Sequence, residues 1–493
     1  MSRGVIGHAR ARTAAPAATG LIEAYQCLEV WMDGAPGRVG ILLGQPGGSF
    51  PASFTYDPEY LARPGAVPLS ASLPLRSAPY DDAGVRAFFD NLLPEGERRR
   101  TEALARRIDP ADLVGLLGAL GADCPGAVSV LPEGAAPAKM PGRLGADYEA
   151  LDGDRLAALV GEVAAGRPLG GRARFSVAGV QRKLALARDP ATGRFLLPRD
   201  GAPTTHILKV EAQDGEHRGI VANEALCLDV FRRLGLPVVH AERMVIGVVQ
   251  VLVVARYDRA VHDDLVARLH QEDAAQALGV PRELKYEDDA EQAGVGPERR
   301  GFAALLGRFA GLTRGPGDAR LNLVHAAHAN WLLGNADAHL KNFALLHDEA
   351  RADSPAADQA IGFGLDLAPF YDVVCTGAYP GVDQTLAMRI GRASQWDAVE
   401  RADWLLLAAQ MFPGRRVGAG VLARQLDWLR DSAVAVLPEI DAAVADGVVT
   451  AIEAKPVRDV AGARLRHLNR TLGWSIPADT DALVHRGGGW AMS

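Results

Sequence analysis

Gly334-Asn335-Ala336-Asp337-Ala338-His339-Leu340-Lys341-Asn342 is the stretch on which the reading of this 493-residue chain turns. It sets a carboxylate, Asp337, five positions before an amide, Asn342, with the cation Lys341 between them. A carboxylate orients or deprotonates an attacking hydroxyl, an amide oxygen is a hard ligand for a divalent cation, and a lysine neutralises a departing phosphoryl group. The same residues also fit an amphipathic helix running from Val324 to Leu346 with Asp337 and Asn342 in solvent. Both readings stand on this stretch alone.

Outward from the loop, more of the parts of a phosphoryl-transfer site follow, and D-x-x-x-x-N is itself the spacing of base and metal-binding Asn in kinase catalytic loops. Leu367-Ala368-Pro369-Phe370-Tyr371-Asp372 places an acid after an apolar run, thirty positions beyond Asn342, where a second Mg²⁺ ligand belongs. Upstream, Thr205-His206-Ile207-Leu208-Lys209-Val210 reads as a strand. Its lysine shares a face with Ile207, and a lysine facing inward needs ATP phosphates or an acid as partner, Glu224 being the best candidate. Phe175 to Lys183 carries Gly179, which permits close approach of backbone to an anion. Each has a plainer reading: a turn acid, a lysine snorkelling to water, an ordinary turn.

Composition limits the classes. With 48% hydrophobic and 23% charged residues the chain can bury a large core. A net charge of −7 gives no general attraction to nucleic acid or anionic membrane. Cys27, Cys124, Cys227 and Cys375 contain no C-x-x-C pair, which argues against a zinc ribbon or disulfide scaffold and points to a reducing, cytoplasmic setting. No apolar run has the length of a membrane span, so no membrane partner is expected. Arg3, Arg10 and Arg12 superficially resemble a transit peptide, but a disordered tail over residues 1–25 is the preferred reading.

Strand patterns at Leu28–Met32 and Arg38–Leu43 flank a hairpin turn, and helical periodicity covers Asp81–Ile108 and Pro110–Leu120, the latter with Asp109 as N-cap. This makes a small β-rich unit at 26–133, then a Pro/Gly-rich linker at 134–145. Residues 146–258 combine strands at 175–177, 183–188, 194–197, 207–210, 243–246 and 250–256 with one helix at Val221–Leu234. Residues 259–475 are mainly helical with few strands, and 476–493 form a tail.

These strings resemble the HipA family of bacterial serine/threonine kinases, toxins of type II toxin–antitoxin modules. The resemblance spans about residues 26–470 and rests on Phe88-Phe89-Asp90-Asn91-Leu92-Leu93-Pro94, Ser176-Val177-Ala178-Gly179-Val180-Gln181 with Lys183, Thr204 to Lys209, and Asn223-Glu224. It continues in Arg256-Tyr257-Asp258-Arg259, Arg268 to Asp273, Lys285-Tyr286-Glu287, the opening stretch, and Ala368 to Asp372. It implies an α+β, two-lobed protein-kinase-like fold: a mixed N-terminal lobe carrying the small β-rich subdomain, over a mainly helical C-terminal lobe. It implies ATP and Mg²⁺, with Asp337 as base or hydroxyl-orienting acid, Lys341 beside it, and Asn342 and Asp372 on the metal. Lys209 contacts the phosphates; Ala178, Gly179, Val180, Gln181, Arg182 and Lys183 form the phosphate loop; His339, Leu340, Lys341, Asn342 and Tyr371 line the nucleotide; and Ala255, Arg256 and Tyr257 face adenine. Ser176 matches the autophosphorylated serine, whose phosphate would oppose ATP.

Two departures stand out: Ala255 occupies a hinge position often held by Glu, leaving only backbone groups to read adenine, and a polar loop at 348–362 lengthens the path between the metal ligands. The family implies a HipB-like helix-turn-helix antitoxin, operator DNA bound mainly through it, and a protein substrate, an aminoacyl-tRNA synthetase in the founding cases. Two other classes compete: a metal-dependent hydrolase using His325, His328, Asp337 and His339, and a catalytically weak co-regulator acting through the antitoxin.

Overall fold

Alternation of residue character builds the central sheet. In the computed structural model, which describes all residues except 1–24, 46, 48–50, 123, 136, 138–140, 168–180, 200, 214, 216, 293–300, 348–363, 413–417 and 480–493, six antiparallel strands lie side by side. Their order is Ala241–Ile246, Val249–Ala255, His206–Val210, Lys183–Arg188, Phe195–Pro198 and Tyr148–Ala150. Leu184, Leu186, Leu208, Val210, Val251 and Val253 point to one face and pack under the helix Gly153–Ala164. Ile207 and Lys209, of opposite parity, point to the other face, as a two-residue repeat requires. Leu252 and Val254 pack on that second face with the helix Ile220–Arg233. The strand expected at 183–188 spans those residues, and that expected at 207–210 gains His206. The strand expected at 175–177 and the polar loop at 348–362 lie outside the described residues, as do all but one residue of the expected 1–25 tail and residues 480–493 of the C-terminal one.

The N-terminal unit is a four-stranded antiparallel sheet, Ser53–Tyr56, Gly40–Gly44, Gln26–Met32 and Val128–Pro132, backed by the helices Asp82–Phe89, Gly96–Arg106 and Leu113–Leu120. The last helix starts later than expected. Asp112, not Asp109, is its N-cap and accepts from the Gly115 amide at 2.9 Å. Asp109 instead closes a two-residue turn onto the Ala111 amide at 2.8 Å, the competing local use of an Asp side chain. Buried polar contacts tie the unit to the rest of the chain: Arg268 donates to both carboxylate oxygens of Asp33, and Ser70 Oγ donates to Glu272 at 2.5 Å.

The helices Phe302–Ala310, Pro316–Leu333, Ala419–Ala445 and Ala451–Leu472 enclose the largest core, around Trp331, Leu323, Leu429 and Leu465. The mixed upper lobe and helical lower lobe are the two-lobed arrangement implied by the resemblance. The helix carrying Val324 does not run on to Leu346. It stops at Gly334, whose φ of 72° is left-handed, with the Asn335 amide bonded back to Asn330 O at 2.8 Å. A Cβ at Gly334 would sit 2.4 Å from Val460 Cγ1, so glycine is required on both counts. The chain leaves the helix there as a loop.

Strands also appear where few were expected. Gln271–Asp273, Ala344–His347 and Leu365–Leu367 form a three-stranded antiparallel sheet, with Leu345 opposite Leu367 and the Ala368 amide bonded to Ala344 O at 2.9 Å. Segments this short carry too few residues for a period to register. Their pairing carries Asn342 and Asp372 to the same place. Among the described residues no helix is long and apolar enough to cross a membrane.

Candidate active site

A cleft of about 220 Å³ lies between the sheet and the helical lobe. Of the residues expected to bind nucleotide or metal, Lys183, Lys209, Ala255, Arg256, Tyr257, His339, Lys341, Asn342, Tyr371 and Asp372 line it. Asp337 is exposed beside it, tied in by Asn342 Nδ2, which donates to Asp337 O at 3.3 Å. Ala178, Gly179, Val180 and Ser176 lie outside the described residues. Arg182 donates to Ala164 O at the end of a helix, and the Leu340 side chain is buried in the lower core, so neither side chain lines the cleft. Gln181 does not line it either; its Nε2 is buried without a hydrogen-bond partner among the described residues.

At the centre Lys209 Nζ donates to Glu224 Oε1 and to Asp372 Oδ1, the latter at 2.5 Å. Glu224 is fully buried and Lys209 nearly so. Burial disfavours the Lys209 charge, but Asp372 and Glu224 outweigh it and hold its pKa above the ordinary value. Burial likewise opposes ionisation of Asp372, and Lys209 and Lys183 reverse this, holding it well below the carboxylate range. Asp372 has a φ of 58°, a sparsely populated conformation for a residue with a Cβ, which the ion pair helps to retain. Lys183 sits opposite Lys209 in the neighbouring strand, and burial pulls its pKa down to about 8 against the attraction of Asp372.

The loop is bound from several sides. Tyr286 Oη donates to Asp337 Oδ1 at 2.9 Å, and Tyr371 Oη donates to Lys341 O at 2.8 Å. Desolvation raises the Asp337 pKa, helped by repulsion from Asp372 and opposed by the Tyr286 hydrogen bond. His339 is held neutral, its pKa pulled to about 3 by burial and then by Lys285. Lys341 Nζ donates to Asn91 O and Oδ1 at 3.1 and 2.9 Å and pairs with Glu95 Oε1 at 2.8 Å.

At the other end, Tyr257 stacks on Tyr371 with ring centroids 5.6 Å apart and donates to Gln271 Oε1 at 2.6 Å. The Arg256 guanidinium grips both oxygens of Asp258, at 3.0 and 2.8 Å. The Ala255 and Arg256 amides donate to His240 O and Thr205 O, at 2.8 and 2.9 Å. Two of the backbone donors expected to face adenine are therefore used within the protein.

The histidines of the competing hydrolase reading do not converge on Asp337. His325 stacks on Trp428 with centroids 4.1 Å apart, and His328 is fully buried against Trp404. Among the described residues no group of three His, Cys, Asp or Glu side chains is placed to hold a metal ion. Sequence reasoning gave no role to Tyr286, Lys285, Asn91 or Glu95. All but Glu95 lie in the strings singled out above, yet no spacing rule connects residues so far apart in the chain.

Comparison with known proteins agrees with this architecture. The HipA N-terminal domain family matches residues 28–161 and the HipA-like C-terminal domain family residues 175–437. A Sinorhizobium fredii protein named "Putative kinase Y4mE" is 34% identical over 408 residues, 82% of this chain and 89% of that one. The serine/threonine-protein kinase toxin HipA of Shewanella oneidensis is 28% identical over 333 residues, 66% of this chain and 70% of the toxin. A solved structure of the HipA, HipB and operator DNA complex from Shewanella oneidensis MR-1 superposes with a TM-score of 0.70 at 23% identity, covering 91% of this chain and 98% of that one, which bears on the fold. With both of its domain families matched in order and the kinase-like cleft between its lobes, the chain belongs to the HipA kinase family.

Proposed function

We propose that this chain is a serine/threonine protein kinase, the toxin of a HipBA-like module, that transfers the γ-phosphoryl group of ATP to a protein hydroxyl. The observation that carries it is the convergence of Lys209, Glu224 and Asp372 with Asn342 beside Asp337. The substrate hydroxyl attacks the γ-phosphorus, its proton passes to the Asp337 carboxylate, and the bond to the ADP oxygen breaks. A carboxylate with a raised pKa is suited to accept that proton. Lys209 and Lys183 meet the phosphates, while Lys341, in the same cleft, is tied to Asn91 and Glu95.

Asn342 and Asp372 fit Mg²⁺, because the Asn342 amide nitrogen is used on Asp337 O, leaving its oxygen for a cation, and Asp372 is partly open. Bound there, the metal would neutralise phosphate charge. Ser176 is the proposed autophosphorylation site: a phosphate of about −1.5 to −2 charge beside a phosphate-binding loop opposes ATP. A HipB-like antitoxin is the proposed partner, with operator DNA contacted mainly through it, as the −7 net charge favours. The substrate is a protein of translation, an aminoacyl-tRNA synthetase being the first to test.

Purified protein given labelled ATP and magnesium is expected to label itself, with the phosphate mapping to Ser176. Absence of transfer both to the chain and to proteins of a cell extract would overturn the kinase reading in favour of the co-regulator. Lys183 adds a pH dependence. With its pKa at about 8 against an ordinary 10.5, the unfolded chain binds more protons between those values, so stability rises with pH across that window. ATP phosphates restore the proton, so ATP binding should take up protons near pH 8.5 and weaken as pH rises past 8. Calorimetry in two buffers of different ionisation enthalpy reads this, and Lys183→Met should abolish the uptake.

A further inference from the structure

The corner from Asp90 to Glu95 belongs to the N-terminal unit, yet it lines the cleft through Asn91 and Glu95. Asp90 is fixed by Arg99 Nη1 at 2.6 Å and Arg282 Nε at 3.0 Å. Leu92 and Leu93 are buried in the core of that unit. Asn91 Nδ2 donates to Ala87 O and Val280 O, which turns its Oδ1 to Lys341. Glu95 stands at the N-cap of the helix Gly96–Arg106 without making a capping bond. Its carboxylate reaches instead to Lys341 Nζ and Lys285 Nζ, each at 2.8 Å.

Both lysines lead to the reacting end. Asn91 accepts two hydrogen bonds from the Lys341 ammonium, and Glu95 Oε1 pairs with its charge at 2.8 Å. Lys285 O accepts from the Leu340 amide at 3.3 Å, and the next residue, Tyr286, bonds Asp337. We propose that Glu95 is a positioning residue for the catalytic loop, holding Lys341 from one side and, through Lys285 and Tyr286, Asp337 from the other, so that the N-terminal unit is a working part of the active site. The inference rests on the kinase reading. Glu95 touches none of the reacting atoms, and its effect passes through the two lysines. Burial opposes its ionisation, but Lys341 and Lys285 override this and bring its pKa to about 2. The clamp is therefore charged at any working pH. Its stabilisation is complete above the ordinary glutamate value and is lost as pH falls toward 2.

The test compares wild type, Glu95→Gln and Lys285→Met for self-labelling with ATP and magnesium across pH. Misplacing a loop by about 1 Å costs on the order of 10²-fold in rate, so Glu95→Gln should lose about that in kcat with KM for ATP little changed. The charged and titratable groups around Asp337 are Tyr286, Asp372, Lys285 and Glu95. Glu95→Gln removes a repelling charge and frees Lys285 to attract, so the acidic limb of kcat/KM should move to lower pH. Lys285→Met should move it to higher pH. A Glu95 with a purely structural role would lower thermal stability without shifting the limb in opposite directions in the two variants. If wild type labels itself and Glu95→Gln matches it in kcat and in the limb, the positioning role is wrong and the kinase reading survives. An inactive wild type overturns both. Should Glu95→Gln fail to fold, Lys285→Met decides: a kcat equal to that of wild type overturns the proposal.

Discussion

Exchange of Asp337 for Gln is expected to slow phosphoryl transfer by about 10²- to 10⁴-fold, the usual cost of losing a positioned base, while ATP binds as well as before. Gln is one methylene longer than Asp but keeps an oxygen able to accept from Tyr286 Oη, so the loop retains an anchor at that point. It loses the capacity to take the hydroxyl proton. Asp337 is exposed, and among the described residues its side chain accepts one hydrogen bond, from Tyr286, so stability should change by no more than about 0.5 kcal/mol, as for a surface substitution. The repulsion between Asp337 and Asp372 also disappears, which favours phosphates in the cleft. The loss should therefore appear in kcat and not in the ATP dissociation constant. Single-turnover labelling and calorimetric titration with ATP measure the two separately. Normal transfer by Asp337→Gln would remove Asp337 from the mechanism and leave the cleft without its base.

The second large effect is expected at Lys209, where stability and chemistry can be separated. Lys209→Met leaves Glu224 fully buried without the cation that hydrogen-bonds it, with Lys183 still attracting it from the neighbouring strand. Breaking a buried pair from one side typically costs about 3–5 kcal/mol, mostly from the stranded charge. Denaturant unfolding should show that loss as a lower midpoint with an unchanged slope. Adding Glu224→Leu removes the stranded carboxylate and should recover most of the stability, since an apolar pair of similar size replaces a buried ion pair at little cost. Transfer should not recover, because Asp372 still lacks the ammonium that holds it and the phosphates still lack theirs. A double variant that labels itself at the wild-type rate would show Lys209 to be a structural cation only.

The strand with Lys209 was legible because strict alternation over five residues puts Ile207 and Lys209 on one face and Leu208 and Val210 on the other. The need for a partner, ATP phosphates or an acid, followed from the cost of burying an ammonium, and Glu224 in the following helix was the best candidate acid. The structure joins the two. The loop from Gly334 to Asn342 was half legible: its residue types and spacing were plain, but whether a helix ran through it depended on Gly334, where a left-handed turn packed against Val460 ends the helix.

Less of the loop's surroundings could be read in advance. Arg256, which the resemblance sets facing adenine, has its guanidinium held by the neighbouring Asp258. Tyr286 reaches Asp337 across 51 residues, and Lys341 reaches Asn91 across 250. Asn342 and Asp372 line one cleft because strands of four and three residues pair between them. Periodicity and residue chemistry act within a few turns of chain: they picked out the longer elements and the candidate residue types, while the quoted strings carried the family resemblance. Contacts across 50 to 250 residues depend on how whole elements pack, so the clamp on the catalytic loop, the state of Lys341 and the place of the N-terminal unit in the site were decided by the assembled fold.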